Sequence, residues 1–192
     1  MCKTVLITGA SRGIGRGIAL SFAKEGWQVA LNCRQNVEQL NETKSLVCKG
    51  GAKCAIFPAD VSDYTQTEKM FGDIEQTFGG VDILINNAGI SIIGQIQDLA
   101  RAVWIRRMVT IYGSDNNCCN IAIPHMVHEK CGKIINISSV WGIAGASCEA
   151  AYSASKGAVN ALTRALAKEL APSNIQVNAI ACGAIDTDMN AF

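Results

Sequence analysis

Val5-Leu6-Ile7-Thr8-Gly9-Ala10-Ser11-Arg12-Gly13-Ile14-Gly15 decides the fold. Three apolar residues run into a turn, and Ile14, Ile18, Ala19 and Phe22 then recur at helical spacing. The product is strand, glycine turn, helix, the local geometry that sets a pyrophosphate on a helix N-terminus. Side chains are absent at positions 9, 13 and 15, so backbone N–H groups can approach a phosphate. The spacing is GxxxGxG rather than GxGxxG, and such a turn can also serve helix–strand packing alone.

The rest of the chain repeats the alternation. Strands are predicted at Lys3–Thr8, Gln28–Asn32, Lys53–Phe57, Val81–Asn86, Lys133–Ile137 and Ile175–Ile180. Helices are predicted at Ile14–Glu25, at Asn36–Lys49 (closed by Gly50-Gly51), and from Asp63 to about Phe78, where Asp63 and Gln66 form a capping-box-like start. Residues 98–129 read as one or two helices, with Gly113-Ser114-Asp115-Asn116-Asn117 a poor helix interior. Ala150–Ala171 is a long helix stopped by Pro172. Apolar strands alternating with helices imply an α/β fold with a parallel sheet covered on both faces. Beyond strand six, Asp186-Thr187-Asp188-Met189 resembles the start of a loop, and nothing in the sequence covers that strand's outer edge.

Composition narrows the class. The 192 residues fit one domain, and 49% hydrophobic content excludes disorder. A formal net charge of +1 gives no footprint for nucleic acid or an anionic membrane, and the apolar runs are too short to span a bilayer. Met1-Cys2-Lys3 leads straight into strand one, leaving no room for a signal peptide. The nine cysteines contain no CxxC pair, so we expect reduced, mostly buried thiols, no metal site and a cytoplasmic protein.

In an open α/β sheet the ligand sits at the carboxyl ends of the strands. Strand two ends in Asn32-Cys33-Arg34, with no carboxylate to hold a ribose 2′-hydroxyl. Arg34 can instead take a 2′-phosphate bidentately, with Arg12 as second cation, which favours NADP over NAD; a solvated surface arginine is the plainer alternative. Asp60-Val61 end strand three, where a carboxylate can accept from an adenine amino group or simply cap a turn. Asn86-Asn87-Ala88-Gly89 end strand four, and Cys182-Gly183-Ala184-Ile185-Asp186-Thr187 follow strand six. Both suit the nicotinamide end, and both also read as ordinary loops.

Strand five runs into Ser138-Ser139. Tyr152 and Lys156 stand at i and i+4 on the long helix, hence on one face. Such a set suits carbonyl reduction, in which an alkoxide formed by hydride addition needs a proton. Free tyrosine titrates near 10, and bringing it to about 7 takes about 4 kcal/mol of preferential phenolate stabilisation. A neighbouring ammonium acts in that direction, so we expect Lys156 to lower Tyr152, while Ser139 holds the substrate oxygen. A surface Tyr–Lys pair is the alternative for those two residues taken alone.

Thr8–Gly15, Asp60-Val61, Asn86–Gly89, Ser139, Tyr152-Ser153-Ala154-Ser155-Lys156 and Val177-Asn178-Ala179-Ile180 together resemble the short-chain dehydrogenase/reductase family, in family order over almost the whole chain. The look is nearest to its bacterial 3-oxoacyl-[acyl-carrier-protein] reductases. The resemblance implies one NAD(P)-binding Rossmann domain over residues 1–192, doubly wound, with six strands in the order 3-2-1-4-5-6. It implies NADP(H) held by Gly9, Ser11, Arg12, Gly13, Ile14, Gly15, Arg34, Asp60, Val61, Asn87, Ala88, Gly89, Tyr152, Lys156, Gly183, Ile185 and Thr187. Ser139, Tyr152 and Lys156 are then catalytic, the activity is NADPH-dependent ketone reduction in fatty-acid biosynthesis, and acyl carrier protein is a candidate partner. A homodimer or homotetramer is implied, and Ala154, Ala158, Ala161 and Ala165 would permit close helix approach if they do not pack on the sheet.

Three departures accompany the resemblance. The family's asparagine in the helix before strand five, part of a water relay to the lysine, aligns with Ile111. Cys182 replaces the family's proline. The family's seventh strand and substrate-covering segment do not follow. These predict slow turnover, or a truncated or degenerate relative that binds dinucleotide or self-associates without efficient catalysis.

Overall fold

The structure, a computed structural model, describes residues 3–91 and 93–187. Asp188 and Met189 of the predicted terminal loop lie outside the described residues. Six parallel strands form one sheet in the order β3-β2-β1-β4-β5-β6, the order the resemblance implies. They are β1 (Thr4–Ile7), β2 (Gln28–Leu31), β3 (Cys54–Ile56), β4 (Ile83–Asn86), β5 (Gly132–Ser139) and β6 (Ile175–Cys182). The helices are α1 (Gly13–Lys24), α2 (Val37–Lys49), α3 (Tyr64–Phe78), α4 (Arg101–Met108), α5 (Ser114–Glu129), α6 (Trp141–Ala144) and α7 (Ala150–Leu170).

The strand pleat distributes the core. Leu6, Leu84 and Ile134 point to one face, against Met70, Phe71 and Ile74 of α3, Ala122 and Met126 of α5 and Leu170 of α7. Their chain neighbours Val5, Ile7, Ile83 and Ile85 point to the other, against Ala19 and Ala23 of α1 and Leu40 and Val47 of α2. Strands buried on both faces require the near-continuous apolar runs the sequence shows. On β6 the alternation ends: Ile175 and Val177 are buried, whereas Gln176, Asn178 and Ile180 are exposed.

Asp63 starts α3 by accepting a hydrogen bond from the Gln66 N–H at 3.0 Å, which holds its carboxyl below the ordinary value. The Gln66 side chain reaches past it to accept from the Asp60 N–H at 3.0 Å. Two stretches depart from expectation. The short helix α6 carries no sequence signal. Gly113–Asn117 does not interrupt the run from Arg101 to Glu129; Val109–Gly113 forms one π-helical turn instead, and α5 begins at Ser114. Burial of Ile111, Ser114, Asp115, Cys118 and Cys119 outweighs the weak local helix preference.

The cysteines are less buried than expected. Cys33, Cys118 and Cys119 are buried, but Cys54, Cys131, Cys148 and Cys182 are half-buried and Cys48 is exposed; all of these are free thiols. Most of them sit at element ends or in loops, which the core does not cover. Among the described residues no helix is long and apolar enough to cross a membrane, and no three His, Cys, Asp or Glu side chains gather as a metal site.

Candidate active site

The glycine turn is built by close approach. Gly9 has φ +63°, and a Cβ there would stand 2.9 Å from the Ala88 Cα. Gly13 also lies in the left-handed region, at φ +54°. Gly15 plays a different part from the one its motif suggests: it lies behind the turn, where a Cβ would meet the Gly9 carbonyl oxygen at 2.5 Å. It seats α1 against the turn and does not line the cleft.

Side chains at the strand ends lock this turn. The Thr8 hydroxyl accepts from the N–H groups of Asn87 (2.9 Å) and Ala88 (3.0 Å). The Asn87 amide donates to the carbonyls of Thr8 (2.9 Å) and Gly9 (3.1 Å). Asn32 donates to the carbonyls of Phe57 and Ala59, tying β2 to the chain beyond β3. Arg16, to which no motif points, donates to the Ser11 carbonyl at 2.6 Å and to the Thr43 hydroxyl at 2.9 Å, and pairs with Glu42 at 3.1 Å. These bonds fix the turn without occupying its open side.

One cleft of about 1160 Å³ crosses the carboxyl ends of the strands. Gly9, Ser11, Arg12, Gly13 and Ile14 line one end, with Arg34, Asp60 and Val61 beside them. Asn87, Ala88 and Gly89 line it too, as do Ser139, Tyr152, Lys156, Gly183, Ile185 and Thr187. Thr187 also reaches back to the turn: a Cβ on Gly13 would touch its methyl at 3.5 Å. The predicted residues, Gly15 excepted, thus share one cleft.

Two of them have local partners. Arg34 lies 3.6 Å from an Asp60 carboxylate oxygen, both side chains partly exposed. The other Asp60 oxygen accepts from the N–H (3.0 Å) and hydroxyl (2.6 Å) of Ser62. Asp60 therefore anchors both its own turn and the arginine at the cleft's edge.

The extra length of β5 carries Ser138 and Ser139 on the strand, with Ser139 opposite Cys182 of β6. The Ser139 hydroxyl accepts from the Trp141 N–H at 3.1 Å, so the first turn of α6 orients it, and it lines the cleft together with Tyr152. The Lys156 ammonium donates to the Ile137 carbonyl at 2.6 Å and lies 5.8 Å from the centre of the Tyr152 ring. Tyr152 does not titrate low, as the neighbouring ammonium led us to expect. Burial raises it, the Ser139 side chain opposes this, and Glu149 and Cys182 add to the rise. Burial also lowers Lys156, against the pull of Asp115. The lysine is directed at a carbonyl, and desolvation of the phenol decides the sign.

Ile111 is fully buried. Asn116 is exposed, and Asn117 donates to the Val61 carbonyl at 3.1 Å, bracing the cleft floor rather than facing the lysine. Asp115, not singled out by any motif, is 2% exposed. The periodicity Ile111, Asp115, Cys118, Ala122, Met126 was the available signal, because it puts a carboxylate on a core-facing stripe.

A family model described as short chain dehydrogenase matches residues 3–192. The 3-oxoacyl-[acyl-carrier-protein] reductase FabG of Staphylococcus aureus is 38% identical over 189 residues, covering 98% of this chain and 77% of that protein. Nodulation protein G of Azospirillum brasilense is 40% identical over 191 residues, covering 97% and 76%. A crystal structure from Sinorhizobium meliloti 1021, assigned as a short-chain alcohol dehydrogenase, superimposes with a TM-score of 0.94 at 37% identity, covering 98% of this chain and 75% of that one.

Proposed function

The chain belongs to the short-chain dehydrogenase family, and from that premise we propose that it is an NADPH-dependent reductase of ketones, with a 3-oxoacyl thioester as the best-supported substrate class. The observation that carries this reading is that Ser139, Tyr152 and Lys156, the last two one turn apart on α7, line the same cleft as the glycine turn. The cleft suits a dinucleotide: at Gly9 a Cβ would fill the space against Ala88, and the strand-end bonds spare the turn's open side.

Gly9, Ser11, Arg12, Gly13 and Ile14 hold the pyrophosphate end. Arg34 and Arg12 receive the 2′-phosphate, with Asp60 orienting Arg34. Val61, Asn87, Ala88, Gly89, Gly183, Ile185 and Thr187 border the remainder, and Gly15 supports the turn from behind. When bound, the nicotinamide supplies the hydride. Ser139 holds the carbonyl oxygen as charge develops on it, and Tyr152 gives that oxygen its phenolic proton. Lys156 stabilises the phenolate left behind. Because burial keeps Tyr152 protonated at neutral pH, the resting site is set for reduction rather than oxidation.

Acyl carrier protein as substrate carrier follows the name of the FabG relative, and a role in fatty-acid biosynthesis and a cytoplasmic place belong to the same proposal. Assembly as a homo-oligomer is supported by α7, where Ala154, Ala161 and Ala165 are exposed and Ala158 half-buried, while Ala151, Ser155, Val159 and Thr163 face inward. The alanine stripe thus points away from the sheet. The fully buried, apolar Ile111 favours a second reading, a dinucleotide-binding relative with little turnover.

The test is a titration with NADPH and NADH, followed by initial rates with acetoacetyl thioesters. We expect NADPH to bind more tightly, Arg34→Ala to erase the difference, and turnover below about 10 s⁻¹. Equal affinities in the unaltered protein remove the NADP assignment. Tight binding with no turnover on any ketone establishes the second reading.

A further inference from the structure

Along the helical run that precedes β5, the core-facing positions carry Ile111, Cys118, Cys119, Ala122 and Met126. A carboxylate joins them: Asp115. Thr110 and Ser114 line the cleft, so Asp115 stands immediately behind its wall. Its Oδ2 atom is buried and has no hydrogen-bond partner, as are the neighbouring Ser114 Oγ and the Asn86 Oδ1 across the site. A carboxylate removed from water costs several kcal/mol unless a cation faces it.

The cation that acts on Asp115 is Lys156 of α7, itself 5% exposed. The other groups around the carboxylate are the Cys118 and Cys119 thiols of its own helix, both pushed up by burial and by Asp115, and therefore neutral. Arg107, a further fully buried charge, lies on α4 about two helical turns earlier. Lys156 in turn is faced by Asp115 from α5, by Cys182 from β6, and by Tyr152 one turn back on α7. The ammonium thus lies against the phenol ring and also feels the charge of a buried carboxyl that it does not touch as a salt bridge.

We propose that Asp115 is a positioning residue of this active site, its buried carboxylate being the counter-charge that keeps Lys156 in the ammonium form beside Tyr152. Ile111, which has no polar atom in its side chain, cannot do this. The catalytic part rests on the reductase reading above; the Asp115–Lys156 pair does not. Burial pushes the Asp115 carboxyl up to about 7 while Lys156 pulls it down. The counter-charge is therefore present above neutrality and weakens as the carboxyl takes up a proton below it.

The experiment is carbon-13 NMR of the full chain labelled at aspartate carboxyls and lysine Cε, titrated with pH, in the unaltered protein, Asp115→Asn and Lys156→Met. We expect one aspartate to titrate near 7, to vanish in Asp115→Asn, and to move to higher pH in Lys156→Met. We expect the Lys156 signal to titrate at lower pH in Asp115→Asn. An Asp115 signal in the ordinary carboxylate range overturns the proposal, as does a Lys156 signal unmoved by Asp115→Asn. Lys156→Met tests the pair even if Asp115→Asn does not fold. In kinetics, Asp115→Asn lowers kcat for ketone reduction about tenfold or more at pH 7, with KM within about twofold. An equal rise in KM with kcat intact overturns the positioning role. A paired titration in a protein that reduces no ketone upholds the pair and removes the reductase reading.

Discussion

Replacing Thr8 by valine keeps the shape of a buried side chain and deletes one oxygen. Thr8 is 1% exposed, and that oxygen accepts two backbone hydrogen bonds, from Asn87 at 2.9 Å and Ala88 at 3.0 Å. Its donation to the Ile85 carbonyl, at 3.4 Å, is weak. Each orphaned N–H costs about 1–3 kcal/mol when fully buried. Asn87 and Ala88 are only half-buried, so water recovers part of this, and the loss for Thr8→Val comes to about 2–3 kcal/mol. Thr8→Ser keeps the oxygen and loses a buried methyl, worth about 1 kcal/mol. The volume-preserving change is therefore the more damaging one. Urea denaturation reads the difference: with a slope of about 2 kcal/mol per M, Thr8→Val lowers the midpoint by about 1 M and Thr8→Ser by about half that. Because the same bonds hold the glycine turn to the end of β4, NADPH affinity falls with Thr8→Val and changes little with Thr8→Ser. A valine variant as stable as the serine variant refutes the latch.

Glycines on one helix give a sign test. Gly15→Ala places a methyl 2.5 Å from the Gly9 carbonyl oxygen and 2.9 Å from the Ala10 Cα, an overpacking cost of about 1–3 kcal/mol against which helix propensity returns at most about 1. Gly17→Ala meets nothing within 4 Å and is exposed, so it stabilises by up to about 1 kcal/mol; opposite shifts in Tm are expected, and shifts of the same sign contradict the packing. For the reverse reaction, alcohol oxidation, the site needs the phenolate. Burial raises Tyr152 above its ordinary 10, so the unprotonated fraction grows throughout the range below it. Oxidation should still be accelerating between pH 8 and 9.5, while reduction holds steady over pH 6–8; an oxidation rate already level at pH 7 is incompatible with that direction.

Much of this architecture is written in short-range pattern. Val5–Ile7 and Ile83–Ile85 are buried on both faces and read as strands without help from the rest of the chain. Ser139, Tyr152 and Lys156 were legible because spacing puts two on one helix face and topology brings the third to them. What was not legible depends on tertiary surroundings. Gly113–Asn117 looks like a helix break, and only the burial of Ile111, Ser114 and Asp115 shows why it continues through a π turn. The direction of the Tyr152 shift turns on desolvation against the pull of the Ser139 side chain, neither visible in a heptad of sequence. Gly15 belongs to the motif yet serves packing, because its missing Cβ faces the turn's own backbone.

The most direct measurement follows the hydrogen itself. NADPH carrying deuterium at the transferring C4 position is incubated with an acetoacetyl thioester, and the 3-hydroxy product is analysed by mass spectrometry for the unaltered protein and for Tyr152→Phe. If Ser139, Tyr152 and Lys156 act beside a bound nicotinamide, the unaltered protein yields product with one deuterium at C3, and Tyr152→Phe still binds NADPH but yields at least about a hundredfold less. Product without deuterium, or undiminished transfer by Tyr152→Phe, contradicts the account.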